Sequence, residues 1–132
     1  MSYSDRPRPR HFKLVDRRAV PCNSIEEWSA WYSVAHAGPE CRVAETCIDD
    51  VRISTVFLSL DHNPFEDSDP ALFETMVFVA GEAHHVRRYF IWEEAETGHA
   101  EMVALIRDEM EAAEARAATA WASVHAGLAA RS

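Results

Sequence analysis

The sequence predicts an α+β fold in which an N-terminal helix and a long C-terminal helix pack on a four-stranded antiparallel meander. Three observations lead to this class: a helix start signal at Ser24, strand patterns joined by short connections across 42–92, and a helical pattern from about 93 onwards. With 132 residues, of which 48% are hydrophobic, the chain is long enough for one core and too short for two.

The first helix is marked by a capping box, in which Ser24 is followed three residues later by Glu27. In such a box the hydroxyl and the carboxylate each accept a hydrogen bond from a backbone N–H group that the helix leaves unpaired. The apolar residues that follow recur at helical spacing and predict an aromatic face: Ile25, Trp28, Trp31, Tyr32 and Ala35. Gly38 and Pro39 are expected to end the helix near residue 37.

Four strands are predicted over 42–48, 51–60, 72–79 and about 85–92. Their short connections favour a meander in which each strand pairs with the next. Alternation in the second strand predicts one buried face, formed by Val51, Ile53, Thr55 and Phe57. The C-terminal half of that strand is expected to be buried on its other face as well, which carries Val56, Leu58 and Leu60.

A long helix or a helix pair is predicted from about 93, because apolar or small residues recur there in steps of three and four. The segment 111–130 contains ten alanines, so its helix forms readily but buries little area. This stripe predicts a homodimer through the C-terminal helix, or a helix that folds back. Trp121 is the expected anchor of either contact, and Gly98 is expected to weaken the helix start by about 1 kcal/mol relative to alanine.

Charge divides the chain into a basic arm and an acidic body. Residues 1–18 carry six basic side chains against two acidic ones, a net charge of +4, whereas the whole chain carries −9. Prolines at 7 and 9 exclude a helix in this arm, so a poorly ordered segment at 1–18 is expected before a single domain at 19–132. A sharper alternative is an arm that contacts a polyanion, or the acidic body of its own or a partner chain.

Composition also excludes several classes of protein. The excess of acidic residues argues against a surface that coats nucleic acid non-specifically, because that requires lysine and arginine. No run of 18 apolar residues and no apolar signal segment occurs, so a cytoplasmic protein without a membrane span is expected. Cys22, Cys41 and Cys47 lack a CxxC pair, which predicts free thiols rather than a disulfide framework or a zinc site.

Four motifs resemble a family of small proteins found in phages and prophages. They are Leu60-Asp61-His62, Phe73-Glu74-Thr75-Met76, Arg88-Tyr89 and Gly98-His99, and the resemblance extends over residues 11–107. It implies an accessory protein of the host-cell cytoplasm that counters host defence, either by binding a host defence protein or by sequestering a small nucleotide ligand. It implies no established activity and no cofactor.

The sequence departs from this family pattern at two places. The acidic segment Glu66-Asp67-Ser68-Asp69 stands where relatives have a glycine-rich loop, which argues against a small-molecule contact through that loop. Ile91 stands where relatives have a serine or threonine that caps the C-terminal helix, so the last strand is expected to run straight into the helix.

The candidate ligand-binding site consists of Asp61, His62, Glu74, Arg88, Tyr89, Trp92 and His99. Glu74 is predicted to interrupt an apolar row of the third strand, shared with residues 72, 76 and 78. A buried carboxylate needs a partner, for which His62, Arg88 and His99 are the candidates. The arginine would hold a phosphate, and aromatic faces at 73, 89 or 92 would stack on a ligand.

Several interpretations of these residues stay open. They can form a structural polar network, a ligand pocket, or a zinc or iron site built from His62, Glu74 and His99, with Asp61 as a further ligand. The favoured function is non-enzymatic binding. The first alternative is a small metal- or histidine-dependent hydrolase in which His62 is the general base and Glu74 orients it, and the second is a structural or virion-associated protein. The acidic body provides solubility or mimics a polyanion to block a nucleic-acid-binding partner.

Overall fold

The computed structural model describes residues 8–36, 38–65 and 67–131. Over these residues the elements are β1 (Phe12–Val15), β2 (Arg18–Pro21), α1 (Ile25–Ala35), β3 (Arg42–Ile48), β4 (Val51–Phe57), β5 (Phe73–Val79), β6 (Glu82–Tyr89) and α2 (Trp92–Arg131), with a 3-10 turn at Pro39–Cys41. Strands β3 to β6 form an antiparallel sheet in that order, and β1 pairs with β2. The α+β class and the four-stranded meander are therefore confirmed, but a separate hairpin precedes the first helix.

This hairpin takes up most of the described part of the predicted arm. Asp16 and Arg17 have φ values of 50° and 68°, as in the two-residue turns whose twist matches that of paired strands. Phe12 is buried in the core, and Leu14 and Ala19 pack against the same cluster. The stretch from β1 to residue 18 is thus folded onto the body, and the expected boundary at 18 falls within the hairpin. Residues 1–7 of the arm lie outside the described residues.

Helix α1 begins at the predicted capping box. Ser24 Oγ accepts a hydrogen bond from the backbone N–H of Glu27 at 3.1 Å. The Glu27 carboxylate accepts one from the backbone N–H of Asn23 at 2.9 Å, one residue earlier than the box predicts, and it also pairs with Lys13 of β1 at 2.9 Å. The helix is described to Ala35 and its cap, and the end expected near residue 37 lies outside the described residues.

The main sheet packs one face on α2 and turns the other to solvent. Strand β4 buries the four residues predicted for its inner face. Strand β5, however, buries Phe73, Thr75 and Val77, which is the opposite row from the one predicted. Because alternate residues of a strand point to opposite faces, Glu74 lies on the outer face with Met76.

Several strand boundaries also differ from the prediction. Strand β4 ends at Phe57 because Ser59 has a φ of 65°, a left-handed conformation that interrupts an extended ladder. Leu58 is half-buried and Leu60 is 36% exposed, so the prediction that this end is buried on both faces is wrong. Strand β6 begins and ends three residues earlier than expected, at Glu82 and Tyr89. Phe90 and Ile91 connect it to α2, so the expectation that this strand runs straight into the helix is wrong.

Helix α2 is continuous over 40 residues rather than a helix pair. The Glu94 carboxylate accepts hydrogen bonds at 3.3 Å from the backbone N–H groups of Phe90 and Ile91, the two residues before the helix. This is the glutamate half of a capping box, and Ile91 has no hydroxyl to supply the other half. Gly98 is not a defect, because the Tyr89 ring occupies the space that a Cβ would take. No helix within the described residues is long and apolar enough to cross a membrane.

Candidate functional site

The structure distributes the seven predicted site residues over four places. Glu74 and Arg88 lie on the outer face of the sheet, whereas Tyr89 and His99 meet a buried network beneath α2. Asp61 and His62 begin the loop between β4 and β5, and Trp92 belongs to the core. They therefore do not line one common pocket.

A chain of hydrogen bonds crosses the inner face of the sheet beneath α2. His99 Nδ1 lies 2.7 Å from Thr55 Oγ1, and its Nε2 lies 2.8 Å from Thr46 Oγ1. Thr55 Oγ1 lies 2.5 Å from Thr75 Oγ1, which also accepts a hydrogen bond from the Tyr89 hydroxyl at 3.0 Å. The two threonines are cross-strand partners, and their layer separates an apolar cluster around Phe73 from one around Ile53 and Val77.

One arrangement of the hydrogen atoms gives every group of this chain a partner. In it Tyr89 donates to Thr75, Thr75 directs its single hydrogen to Thr55, and Thr55 directs its own to His99 Nδ1. The Nδ1 atom is then an acceptor, and the neutral ring carries its hydrogen on Nε2, which donates to Thr46. With this direction every member of the buried chain has a partner.

Burial lowers the pKa of His99 below its ordinary value, so the ring stays neutral at pH 7. Protonation would place a second hydrogen on Nδ1, opposite the Thr55 hydroxyl that already donates there. Both ring nitrogens are used inside the fold. This arrangement fits a structural network, with threonine partners in place of the predicted carboxylate.

Glu74 and Arg88 form a cross-strand ion pair between β5 and β6. Arg88 Nε donates to Glu74 Oε2 at 3.0 Å, and the two side chains are 46% and 12% exposed. Of the three partners predicted for Glu74, the structure thus provides Arg88. His99 lies on the other face of the sheet and is bonded to threonines instead.

Asp61 ties the β4–β5 loop to the N-terminal segment. Its Oδ2 lies 2.5 Å from Arg8 Nη2, and its Oδ1 accepts hydrogen bonds from the backbone N–H groups of Asn63 and Ala71 at 2.8 and 3.0 Å. Arg8 also donates to the carbonyl oxygens of Ser68 and Asn63. Burial by itself raises the pKa of Asp61, but these two N–H groups and the guanidinium outweigh it, so the pKa lies below its ordinary value.

His62 is not assembled with the groups that the hydrolase hypothesis requires. Its side chain is exposed, and among the described residues its imidazole has no hydrogen-bond partner. Glu74, expected to orient it, is paired with Arg88. Within the described ranges no three His, Cys, Asp or Glu side chains are placed to hold a metal ion. The metal-site and general-base hypotheses therefore find no assembled set of residues.

A shallow groove of about 550 Å³ lies between the edge strand β6 and the first turns of α2. It is lined by Arg87, Arg88, Tyr89, Glu93, Glu94, Thr97 and Glu101. Two predicted residues, Arg88 and Tyr89, line it, but Arg88 is held by Glu74, and Arg87 lies 3.9 Å from Glu101. A phosphate entering this groove would meet three carboxylates and two arginines that already have acidic partners.

Trp92 is not available as a stacking face. It is 6% exposed, packs edge to face on Phe73, and has the Arg17 guanidinium 5.1 Å from the centre of its ring. Its role is to join the hairpin, the sheet and the start of α2 in one apolar cluster.

The part of α2 beyond residue 106 is named here the α2 tail (107–131). Its first turn still borders the sheet, because Met110 packs against the cluster around Ile53 and Val77. Its half-buried residue is Met110, and its other described residues are exposed. Trp121 is 65%, Leu128 61% and Val124 49% exposed. Together with Ala113, Ala117 and Ala120 these side chains form the apolar face of the tail.

An acidic ridge runs along α2, and its first members line the groove between the helix and strand β6. Glu94, Glu101 and Asp108 follow at intervals of seven residues, so they share one side of the helix, and Glu93 and Glu111 flank them. All five are exposed. In total α2 carries eight acidic against three basic side chains, whereas the exposed acidic loop adds Asp67 and Asp69; Glu66 lies outside the described residues.

Sequence reasoning missed Arg8, the threonine layer and the need for Gly98. One signal for the layer was present, because Thr55 and Thr75 each interrupt an apolar row at matching positions of neighbouring strands. No local pattern announces that Arg8 reaches a loop 53 residues away. The clash that makes Gly98 necessary depends on Tyr89 of another element.

Comparison of the chain with models of protein families, with curated proteins and with solved structures finds no match. The resemblance to phage accessory proteins therefore stays a prediction.

Proposed function

We propose that this protein is a non-enzymatic binding protein that acts through contacts with other proteins. The observation that carries the proposal is the α2 tail, on which Trp121, Val124 and Leu128 are exposed along the side that earlier turns bury against the sheet. A row of large apolar side chains in water is typical of a surface that a protein partner covers.

The acidic, histidine and cysteine side chains that could act in catalysis favour a binding function, because most of them are held by structural partners. Asp61 is held by Arg8, Glu74 by Arg88, and both nitrogens of His99 by threonines. Burial raises the pKa of the Cys41 thiol, aided by the charge of Glu40, which keeps it protonated and poorly nucleophilic at neutral pH.

The two surfaces of α2 have different partners in this proposal. The apolar face of the tail pairs with a second copy of the chain, so the protein works as a homodimer. The acidic ridge then binds a basic surface on a host defence protein in the host-cell cytoplasm, as the resemblance to phage accessory proteins implies. Sequestration of a nucleotide is the less favoured version of this proposal, because the carboxylates of the β6–α2 groove repel a phosphate.

Self-association is tested by sedimentation equilibrium at micromolar concentration. We expect the mass of two chains for the native protein and a shift toward one chain for Trp121→Ala, because the anchor of the interface is removed. Leu105→Ala is the matched control: Leu105 is 45% exposed on the same helix but is set about 100° around the axis from Ile106, off the apolar face. A native mass of one chain would contradict the dimer.

Host binding is tested by capture from a bacterial lysate with the triple variant Glu101→Gln, Asp108→Asn, Glu111→Gln. We expect one host protein to be retained by the native chain and lost by this variant, because its basic surface no longer meets the ridge. Glu82→Gln is the control, since that side chain is 84% exposed but lies on β6. A stoichiometric nucleotide released on heating the purified protein would instead favour the sequestration form.

A further inference from the structure

We infer that two copies pair antiparallel through their α2 tails, and that the C-terminal turn of each tail lies in an apolar groove at the end of the other copy's sheet. This inference rests on the proposed self-association and adds its geometry. It is carried by three observations on the described residues: the direction of the apolar face, the distribution of charge along the tail, and the groove itself.

The direction of the apolar face excludes a parallel pair. The buried residues Trp92, Ala95, His99, Met102 and Ile106 follow in steps of three and four, and Met110, Ala113, Ala117, Ala120 and Val124 continue the same steps. The apolar face of the tail is thus the side on which the sheet packs. A parallel second helix on this side would run through the sheet of the first copy. An antiparallel helix approaches from the far end, and only the tails overlap.

The heptad pattern gives the pairing of residues. Positions 110, 117 and 124 fall on one core position and 113, 120 and 127 on the other. In the antiparallel register Met110 faces Gly127 of the second copy, Ala113 faces Val124, and Ala117 faces Ala120. At the core positions small residues then meet at the centre, where the helices approach closely, and larger ones lie toward both ends. Trp121 lies beside the central pair, at the flank of the seam.

The charges of the tail favour the same direction. Four acidic residues lie within 108–114, whereas the segment 123–131 contains Arg131 and no carboxylate. A parallel pair would bring Glu109 against Glu114 of the second copy, twice by symmetry, because these positions flank a parallel seam. An antiparallel pair sets each acidic segment beside the uncharged or basic end of the other tail.

The groove explains what the end of each tail contacts. It has a volume of about 340 Å³ and lies where the sheet ends beside α2. Six of its lining residues are apolar, namely Val51, Val77, Val79, Ile106, Met110 and Ala113, and four are polar or charged, namely Asp50, His84, His85 and Glu109. In the antiparallel register Leu128 of the second copy comes opposite Glu109 and Met110, at the mouth of this groove. Leu128, 61% exposed in the single chain, is buried there.

The two tails overlap over most of their length. Met110 and Gly127, which face each other in this register, bound an overlap of about 27 Å at 1.5 Å per residue. A specific interface needs about 1,000 Å² or more of buried surface, and each Trp121, which is 65% exposed, contributes part of the roughly 150–250 Å² that a fully buried aromatic side chain provides. The two grooves, each with its leucine, add to both ends of the helix pair.

The test is a pulsed electron paramagnetic resonance measurement of distances between copies. Single spin labels are attached to the full chain at Thr119→Cys or at Ala130→Cys, both on the outer side of the tail. Cys22 and Cys47 are replaced by serine, and Cys41 is buried. Antiparallel tails separate the two Ala130 sites by about 35 Å along the axis and the two Thr119 sites by about 2 Å. We therefore expect a clearly longer distance for the label at 130.

The possible outcomes distinguish a failure of the antiparallel geometry from a failure of self-association. Equal short distances at both sites would show a parallel dimer, which overturns the antiparallel geometry but keeps self-association. No intermolecular distance at either site, with a sedimentation mass of one chain, would overturn both. In a second measurement we expect Leu128→Ala to weaken dimerisation by about tenfold or more. An unchanged dissociation constant would overturn the contact with the groove.

Discussion

The first four turns of α2 and its tail are two halves of one helix with opposite surroundings. From Trp92 to Ile106 the inner side of the helix packs on all four strands of the sheet and is buried. In the tail beyond Met110 the same side carries Trp121 and Val124 and faces solvent. The periodicity of apolar residues continues without interruption through both parts of the helix. The two parts therefore differ in what lies opposite them: the sheet lies against the first turns, and solvent surrounds the tail.

This comparison teaches that a helical stripe identifies a side of a helix but not its partner. In the first half the stripe includes Gly98 and His99, whose small size and hydrogen bonds match particular groups on the sheet. In the tail the stripe is mostly alanine, with few large side chains. The first half of α2 thus has side chains that match one fixed surface, the sheet. The tail has small side chains that allow two identical helices to approach closely.

The largest effect is expected for Gly98→Ala in the buried half. The added methyl group would overlap the Tyr89 ring, which must move and release its hydrogen bond to Thr75. Overpacking of this kind costs about 1–3 kcal/mol, and we expect chemical denaturation to show a loss of this size in the free energy of unfolding.

A double-mutant cycle isolates the cause of that loss. In a Tyr89→Ala background the ring is absent, so Gly98→Ala should become neutral or stabilising through the higher helix propensity of alanine. If the substitution is equally destabilising in both backgrounds, the contact between Gly98 and Tyr89 is not what requires a glycine.

The sequence was sufficient for the parts of the fold that depend on local pattern. The bounds of β3, the inner row of β4 and the capping box follow from alternation and from helix-end chemistry. The row of β5 was assigned to the wrong face because both of its rows are largely apolar, so Glu74 could be placed on either side. Because Glu74 was expected on the inner face, it was grouped with His99 in one candidate site. The structure places the two residues on opposite faces of the sheet.

A smaller effect is expected for the pH dependence of the threonine layer. His99 is neutral in the fold because burial lowers its pKa, whereas in the unfolded chain it titrates near its ordinary value of 6.5. Its contribution to stability is therefore complete above pH 6.5 and is lost as the pH falls below that value, because the unfolded chain then binds a proton that the folded chain does not.

Comparison of the native chain with His99→Gln tests this dependence. The free energy of unfolding of the native protein should fall between pH 7 and 5, with a slope below that of one proton, about 1.4 kcal/mol per pH unit. The variant should show a flatter profile in the same range, because glutamine does not titrate. Parallel profiles for the two proteins would show that His99 is not the source of the pH dependence.

The smallest effect is expected for Gly127→Ala in the tail, the counterpart of Gly98→Ala. Nothing lies within 4 Å of a Cβ built at Gly127, so the methyl group meets no neighbour in the single chain. At a protein concentration too low for pairing, alanine should stabilise the last turns of the single chain by up to about 1 kcal/mol through helix propensity, seen as a stronger circular dichroism signal at 222 nm. The substitution is then expected to be destabilising at 98 and stabilising at 127, because only Gly98 has a side chain of the same chain against it. A loss of helical signal for Gly127→Ala under these conditions would contradict the explanation by helix propensity.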